Sequence, residues 1–377
     1  MAKIIYLAHY NASLQGREAS PAGTTVMSYV IECLDSLGKK TVVVSPARSK
    51  NALPREEIEV SSNIKLVFME SFKKSNKNNY FKRYFRHKKL ERALMKELLK
   101  QVEDGDTLLV YHSLSLMKFV KKIKKKRNIT LVLQVCEIYA DVLENKKIRK
   151  KEFSCFLLAD KYIFQTEVLN QIVNTKSLPY TVLHGTYRSV PERVKENVKF
   201  DSSKIQCVYA GTLDTRKGGA LTAANIASFL PENFHVHILG FGSKSEVSQI
   251  KEAVKRISLT SKASISYDGC LQGEEYLDFI ANCHVGLSTQ SPVAAFNVTS
   301  FPSKILAYMA SGLRVVTVRI PAVETSCVGK YLYYYDFNDP ESIAKTIQQI
   351  DFSDDYNGKQ KIDSLNKQFL QNLDILL

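Results

Sequence analysis

Short apolar runs rich in Val, Ile and Leu alternate with helix-length segments along nearly the whole chain, and this alternation limits the fold more than any other feature. It is the pattern of parallel sheets covered by helices. In the first half the spacing predicts strands at 3–9, 40–45, 64–70, 107–112, 129–135, 161–166 and 180–183. Helices are predicted at 24–37, 85–102, 114–124, 149–158 and 167–173. Residues 185–204 are polar and charged and contain Pro191, so the domain boundary is placed there. The alternation restarts with strands at 205–210, 234–239, 263–267, 285–288, 314–318 and 331–335. Helices at 219–229, 244–256, 274–282 and 340–350 accompany them. The expectation is two doubly wound α/β domains, 1–190 and 191–350, with ligands in a crevice beyond the C-terminal ends of the strands. A polar tail, 351–377, ends in an amphipathic segment.

At 377 residues the chain can bury two cores. No apolar run reaches the length of a membrane span. The opening Met1-Ala2-Lys3-Ile4-Ile5-Tyr6-Leu7 reads as a first buried strand. It has neither the long apolar core nor the cleavage site of a signal peptide. Seven cysteines (33, 136, 155, 207, 270, 283, 327) are scattered, mostly inside apolar runs, with no Cys-x-x-Cys pair. They read as reduced and structural in a cytoplasmic protein. The net charge of +15 is concentrated: residues 1–190 hold 34 Lys and Arg against 18 Asp and Glu, and the rest hold 19 against 20. A basic half joined to a neutral half points to an anionic partner for the first domain.

Residues 297–316 read NVTSFPSKILAYMASGLRVV: a polar segment, a short apolar helix, a terminating Gly and a buried strand. Pro302 in the first turn, with Ser and Thr before it, is a helix-start signal. Free amides at such a start form a site for phosphate or sugar oxygens, and Lys304 is well placed for an anion. Taken by spacing alone, the same pattern also fits any helix entering a strand.

The run Pro302-Ser303-Lys304-x-x-x-Tyr308-Met309-Ala310-x-Gly312, followed by Val315-Val316, resembles the donor-site helix of GT-B glycosyltransferases. The closest likeness is to the large family-four-like group, which assembles bacterial surface polysaccharides. The resemblance covers about residues 205–345, and in the first half only strand order and loop positions agree. It implies a GT-B fold of two Rossmann-like domains with a cleft between them, and a last helix that returns to the first domain. It also implies retention at the anomeric carbon, a nucleotide-sugar as substrate and no metal ion or other cofactor.

Tyr209–Gly219 resembles the Gly-Arg-Leu-x-x-x-Lys-Gly turn of the group, in which Arg and Lys bind the donor phosphates. Gly211 and Lys217 match it, Thr212 stands in place of the Arg, and Arg216 is the candidate to compensate. On the residues alone, a basic pair at such a turn fits a diphosphate cradle or an ordinary turn with surface cations. Gly242, and the pair Asp268 and Leu271, correspond to loops that pass the nucleotide and the base; Asp268 also fits a turn cap. Many relatives carry two Glu residues eight positions apart that touch the donor sugar and the ribose; here they are Thr299 and Ala307. The sequence resembles the branch that keeps Pro-x-Lys-x-x-x-Tyr. Asn297, Lys304 and Tyr308 are then the polar contacts, and Ser300, Phe301, Pro302 and Ser303 complete the helix start.

The loop 10–25 is long for a strand-to-helix connection. Its Gly23-Thr24 resembles the small-residue turn beneath the donor phosphates. Tyr111-His112-Ser113, Cys136-Glu137-Ile138-Tyr139 and His184-Gly185 each end a strand. A lone His fits a core position as well as a ligand contact, but three polar strand ends at one crevice favour the second. Glu137 and His112 join Lys217 and Arg216 as candidate catalytic residues, and Tyr139 and His184 are acceptor-side candidates. Three basic runs, 73–89, 118–127 and 146–151, each read alone as a solvated face. Together, with Tyr and Phe interleaved in the first, they suit the anionic inner leaflet of a membrane. Nucleic acid would satisfy the same charges, but no recognition motif for it is present.

The sequence therefore predicts a retaining hexosyltransferase, peripheral on the inner face of the cell membrane. It would take a nucleotide-sugar, a UDP-sugar, and a lipid-linked or other surface-glycan acceptor. The alternatives are a non-catalytic homologue that holds a sugar nucleotide or acceptor as a partner subunit, and a nucleic-acid-binding protein.

Overall fold

The computed structural model describes residues 2–11, 16–73, 80–143, 145–191, 200–214, 218–289 and 298–377. The chain divides into two compact units, Met1–Thr186 with Phe369–Leu377, and Tyr187–Gln368. Much of the polar stretch 185–204, at 192–199, lies outside the described residues.

The first unit contains strands β1 (Ile4–Leu7), β2 (Thr41–Ser45), β3 (Glu56–Glu59), β4 (Ile64–Phe68), β5 (Thr107–Tyr111), β6 (Thr130–Val135), β7 (Lys161–Phe164) and β8 (Tyr180–Val182). Its helices are α1 (Pro21–Ser36), α2 (Tyr80–Gln101), α3 (Met117–Lys124), α4 (Tyr139–Val142), α5 (Lys146–Phe156) and α6 (Glu167–Val173). The sheet order is β3-β4-β2-β1-β5-β6-β7-β8. Every ladder is parallel except β3–β4. Leu7 of β1 sits between Val44 of β2 and Val110 of β5. These residues join Ile5, Leu108, Leu131 and Leu133 from the sheet and Val120 and Phe156 from the helices in one apolar core. From β1 the chain winds outward through β2 and β4, then returns to β5 on the other side. The strand order therefore reverses between β1 and β5, the place where open α/β sheets bind ligands.

β3 is not predicted because its sequence, Glu-Glu-Ile-Glu, has no apolar run. It forms as a charged sheet edge, with Arg55 bridging Glu57 and Glu97 and Lys65 meeting Glu57. Such an edge resists pairing with another chain. α1 starts three residues before the predicted position. Ser20 caps it, accepting from the Gly23 amide at 3.3 Å, and Pro21 opens the first turn. α2 starts five residues early, so the aromatic and basic stretch 80–85 is helical rather than loop.

The second unit contains β9 (Ile205–Thr212), β10 (Phe234–Phe241), β11 (Ser264–Gly269), β12 (Val285–Ser288), β13 (Arg314–Val318) and β14 (Tyr333–Tyr335). The order is β11-β10-β9-β12-β13-β14, all parallel, and it reverses between β9 and β12. Helices α7 (Gly219–Asn225), α8 (Lys244–Ser258), α9 (Gly273–Ala281), α10 (Ser303–Ala310), α11 (Pro321–Glu324) and α12 (Pro340–Gln348) connect these strands. The cysteines are free thiols, four of them buried. No described helix is long and apolar enough to cross a membrane.

The last helix, α13 (Gly358–Leu376), begins in the second unit and ends in the first. Phe369 stacks on Tyr29 of α1 at 5.9 Å, and Asp374 pairs with Lys39 at 2.7 Å. The Lys161 ammonium donates to the Leu376 carbonyl, and Leu373 is fully buried. Deleting a buried aromatic ring costs about 3–5 kcal/mol. Phe369→Ala is therefore expected to lower the unfolding free energy of the first unit, read from urea titration, by roughly that amount. Ile375→Ala, at an 84% exposed position of the same helix, is expected to stay within about 0.5 kcal/mol of wild type.

Candidate functional site

At the order reversal of the second unit, α10 starts from Pro302, which has extended geometry (φ −69°, ψ 110°) and stands just before the helix rather than in its first turn. The Pro302 side chain carries no group that could cap this start. Ile305 donates its amide to the Pro302 carbonyl at 3.1 Å, closing a tight first turn whose positive dipole end favours an anion. Lys304 lies in that turn. Its ammonium is 3.6 Å from the centre of the Tyr209 ring, a close cation–π contact. The Tyr209 hydroxyl donates to the Thr212 carbonyl at 2.9 Å and fixes the ring. A Cβ at Gly211 would lie 2.5 Å from Lys304 Nζ and 2.7 Å from its Cε, so the lysine crosses the end of β9 where only glycine leaves room.

Tyr308, expected among the polar ligand contacts, is a core residue instead. It is fully buried, and its hydroxyl accepts from the Ala210 amide at 2.8 Å. Burial raises its pKa well above 10. Its ring covers Gly286, where a Cβ would come within 2.4 Å. Tyr308 thus pins α10 to β9 and β12. Thr299 and Phe301 are buried on the approach to α10, Ser300 and Pro302 are half-buried, and Ser303 and Ala307 are exposed. Thr212 is exposed at the end of β9. Gly242 supports packing: it precedes Ser243, which caps α8 in a reciprocal pair with Glu246. The Asp268 carboxylate accepts from His237 Nδ1 at 3.0 Å and Ser266 Oγ at 2.8 Å, so its side chain serves the sheet. Leu271, just after β11, is half-buried. Lys217, Arg216 and Asn297 lie outside the described residues.

In the first unit, the predicted strand-end residues gather around β5 and β6. His112 is 1% exposed, and its Nε2 meets Glu152 Oε1 at 2.9 Å. Glu152, on α5, is fully buried. It also accepts the amides of Tyr139 at 2.9 Å and Ala140 at 2.8 Å, which cap α4. The Tyr139 hydroxyl donates to the His112 carbonyl at 3.1 Å. Among the described residues, His112 Nδ1 has no hydrogen-bond partner, a situation that costs about 1–3 kcal/mol for a buried polar atom. Glu137 is half-buried, and burial, reinforced by the Glu152 charge, raises its carboxyl pKa against an opposing effect of His112. His184 is buried, with Nε2 2.9 Å from Glu167 Oε2 on α6. Gly23 and Thr24 sit inside α1 rather than at its start, and the Gly23 amide is taken by Ser20. The Tyr111 hydroxyl lies where it would meet a Gly23 Cβ at 3.3 Å.

Tyr209, Glu152 and Glu167 were not found by sequence reasoning. Glu152 carried a usable signal: it lies three and four positions before Cys155 and Phe156, on the apolar face of its helix.

Residues 204–350 match the family described as glycosyl transferases group 1. This match lies wholly within the second unit. Among solved structures, the chain is similar over 99% of its length to sucrose-phosphate synthase from Thermosynechococcus elongatus (97% of that chain, 14% identity, TM-score 0.72). It is similar over 100% to a structure described as trehalose-6-phosphate from E. coli bound with UDP-2-fluoro glucose (100% of that chain, 11% identity, TM-score 0.67). It is likewise similar over 100% to α,α-trehalose 6-phosphate synthase from Burkholderia multivorans (95% of that chain, 12% identity, TM-score 0.66). The shared property at these identities is the fold, which is GT-B. No curated protein matches the chain significantly.

Within the matched region, Gly211→Ala displaces only the far end of a flexible lysine. It is expected to leave the melting temperature within a few degrees of wild type and to weaken inorganic pyrophosphate binding about tenfold to a hundredfold by calorimetry, the scale of one charge-assisted hydrogen bond. Lys304→Ala is expected to match it. Unfolding of Gly211→Ala would instead make this close approach a packing requirement.

Proposed function

We propose that this protein is a retaining GT-B glycosyltransferase of the family-four-like group. It moves a hexose from a nucleotide-sugar, a UDP-sugar, to a lipid-linked or other surface-glycan acceptor. The observation that carries this reading is Lys304, in the first turn of α10, held at the end of β9 inside the region that matches the glycosyl transferases group 1 family. Departure of a nucleoside diphosphate builds negative charge, and preorganised donors aimed at that charge lower the barrier. The α10 amides and Lys304 serve this role, joined by Lys217 and Arg216 from the preceding strand-to-helix turn. The charge is then met by protein groups, without a metal ion. Glu137 and His112 address sugar hydroxyls, with Tyr139 and His184 on the acceptor side. The uridine choice is supported by the UDP-2-fluoro glucose of one structural neighbour. Retention is supported by another, a trehalose-6-phosphate synthase studied for glycosyltransfer with retention.

Ala307, exposed on α10 where many relatives hold the ribose with Glu, favours a second reading, a non-catalytic partner subunit that binds the sugar nucleotide. Donor hydrolysis and thermal stabilisation across UDP-, GDP- and dTDP-sugars separate the two. Slow release of UDP from one donor is the expected result, with Lys217→Ala lowering it by about 10²–10³. Stabilisation without release, with and without acceptor glycolipid, would favour the binder.

The proposed location is the cytoplasmic face of the membrane. Phe81 and Phe85, 74% and 67% exposed, and Tyr84 stand beside Arg83, Arg86, Lys88 and Lys89 on α2. Each such cation contributes about 1 kcal/mol near an anionic leaflet, and aromatic rings seat at the interface. Flotation with phosphatidylglycerol vesicles is expected, weakening with salt and with Phe81→Ser/Phe85→Ser. Equal flotation with neutral vesicles would overturn the electrostatic part. Saturable binding to duplex DNA with a steep salt slope would favour a nucleic-acid partner instead.

A further inference from the structure

β10 carries two histidines on one face, His235 and His237, whose rings stack at 4.0 Å. His237 is 2% exposed and is closed in by Phe200 at 4.7 Å and Phe279 at 5.1 Å. Both of its ring nitrogens face acceptors. Nε2 lies 2.9 Å from Gln206 Oε1. That amide cannot be turned round, because its nitrogen donates to the carbonyls of Asp201 at 2.8 Å and Lys204 at 3.1 Å. Nδ1 lies 3.0 Å from the Asp268 carboxylate, which also accepts from Ser266 Oγ at 2.8 Å. A neutral imidazole has one N–H, so a ring that meets two acceptors carries both protons. A buried charge is tolerated when it is paired, and Asp268 is the pair. Burial, reinforced by the charge on His237, pushes His235 down to about 4, so the stack holds a single cation. Asp201 and Lys204, ahead of β9, are the other charges near the stack, and burial keeps the Cys207 and Cys283 thiols protonated.

The pair sits where the sheet breaks register. Ile238 is opposite Tyr267, yet Leu239 is opposite Gly269, so Asp268 is the extra residue of a bulge in β11. Gly269 follows at φ +85°, a conformation that favours glycine. The Tyr267 hydroxyl donates to the Gly240 carbonyl at 3.0 Å and ties the bulge to the end of β10. A bulge bends its strand and re-aims what comes after it. What comes after it is the short turn through Leu271 that leads into α9.

We propose that His237 is a positioning residue: held as an imidazolium, it fixes Asp268 in the bulge and so sets the turn 270–272 on which the base of the donor nucleotide rests. The charge and the bulge rest on this chain's own geometry. The base rests on the transferase reading, in which the turn at Leu271 faces it. His237 itself touches no ligand.

The test begins with long-range proton–nitrogen correlation on protein labelled with ring-¹⁵N histidine at about pH 7, where most unperturbed imidazole is neutral. His237 is assigned by its loss in His237→Gln. The expected result is a proton on both ring nitrogens. Asp268→Asn, which keeps the shape and removes the charge, is expected to take one of them away. A bare nitrogen in the wild type, or an unchanged ring in Asp268→Asn, overturns the charged pair.

Calorimetry with two probes then separates positioning from general damage. UDP carries the base, and inorganic pyrophosphate does not. His237→Gln is expected to weaken UDP about tenfold, the scale of one lost hydrogen bond, and to leave pyrophosphate binding unchanged. Asp268→Asn is expected to do the same, and it carries the comparison if His237→Gln does not fold. Equal losses for both probes would make the pair a structural element only, and unchanged UDP binding would likewise overturn its positioning role. Wild-type protein that binds pyrophosphate but gains nothing from the uridine overturns the base assignment. Wild-type protein that binds neither probe counts against the donor-site reading as a whole, while the charge on His237 is still decided by the spectra.

Discussion

The Lys304 ammonium reaches the Tyr209 ring only because residue 211 has no side chain, and the geometry of the second unit's site follows from that absence. The same logic holds one strand away, where Gly286 admits the ring of Tyr308. Two strand residues without Cβ atoms thus let α10 settle close enough for its hydroxyl anchor to reach the Ala210 amide. The anchor is buried and the cation is held, so the first-turn amides between them have little freedom. Preorganisation of this kind gives an anion site its strength, because no rearrangement is needed when charge develops.

The first unit solves a different problem. A fully buried carboxylate is tolerated only when its hydrogen bonds are complete, and removing one partner of such a group typically costs about 3–5 kcal/mol. Glu152 spends its acceptors on two backbone amides and one imidazole. The short helix α4 therefore depends on α5 for its start, and the His112 ring depends on both. A helix of four residues has little stability of its own; here it exists because a side chain thirteen positions later caps it.

Much of the architecture was legible in the sequence because buried parallel strands are apolar on both faces. Every predicted strand formed, with ends displaced by a few residues. What escaped detection was polar or short. β3 is Glu-rich and gains its place from pairing with β4 rather than from burial. α4 and α11 are single turns without periodicity. The start of α1 was misplaced because the small-residue pair Gly23-Thr24 outweighed the Ser20-Pro21 cap. At the site, Lys304 was legible from its place beside Pro302. The core role of Tyr308 was not, since a tyrosine four residues after a candidate anion ligand reads equally as contact or as core. The partners of that site, Tyr209 and Gly286, sit far away in sequence, and nothing local marks them.

The assignment of Phe369–Leu377 to the first unit changes the order in which this protein can mature. Domains fold as units while the chain leaves the ribosome, the N-terminal one commonly first. Here the first unit lacks part of its core, Phe369 and Leu373, until every residue of the second unit has been made. The second unit, continuous from Tyr187 to Gln368, meets no such delay. The half of the protein that is synthesised first is therefore the half that is finished last. A truncation at the C-terminus would damage the unit at the opposite end of the gene.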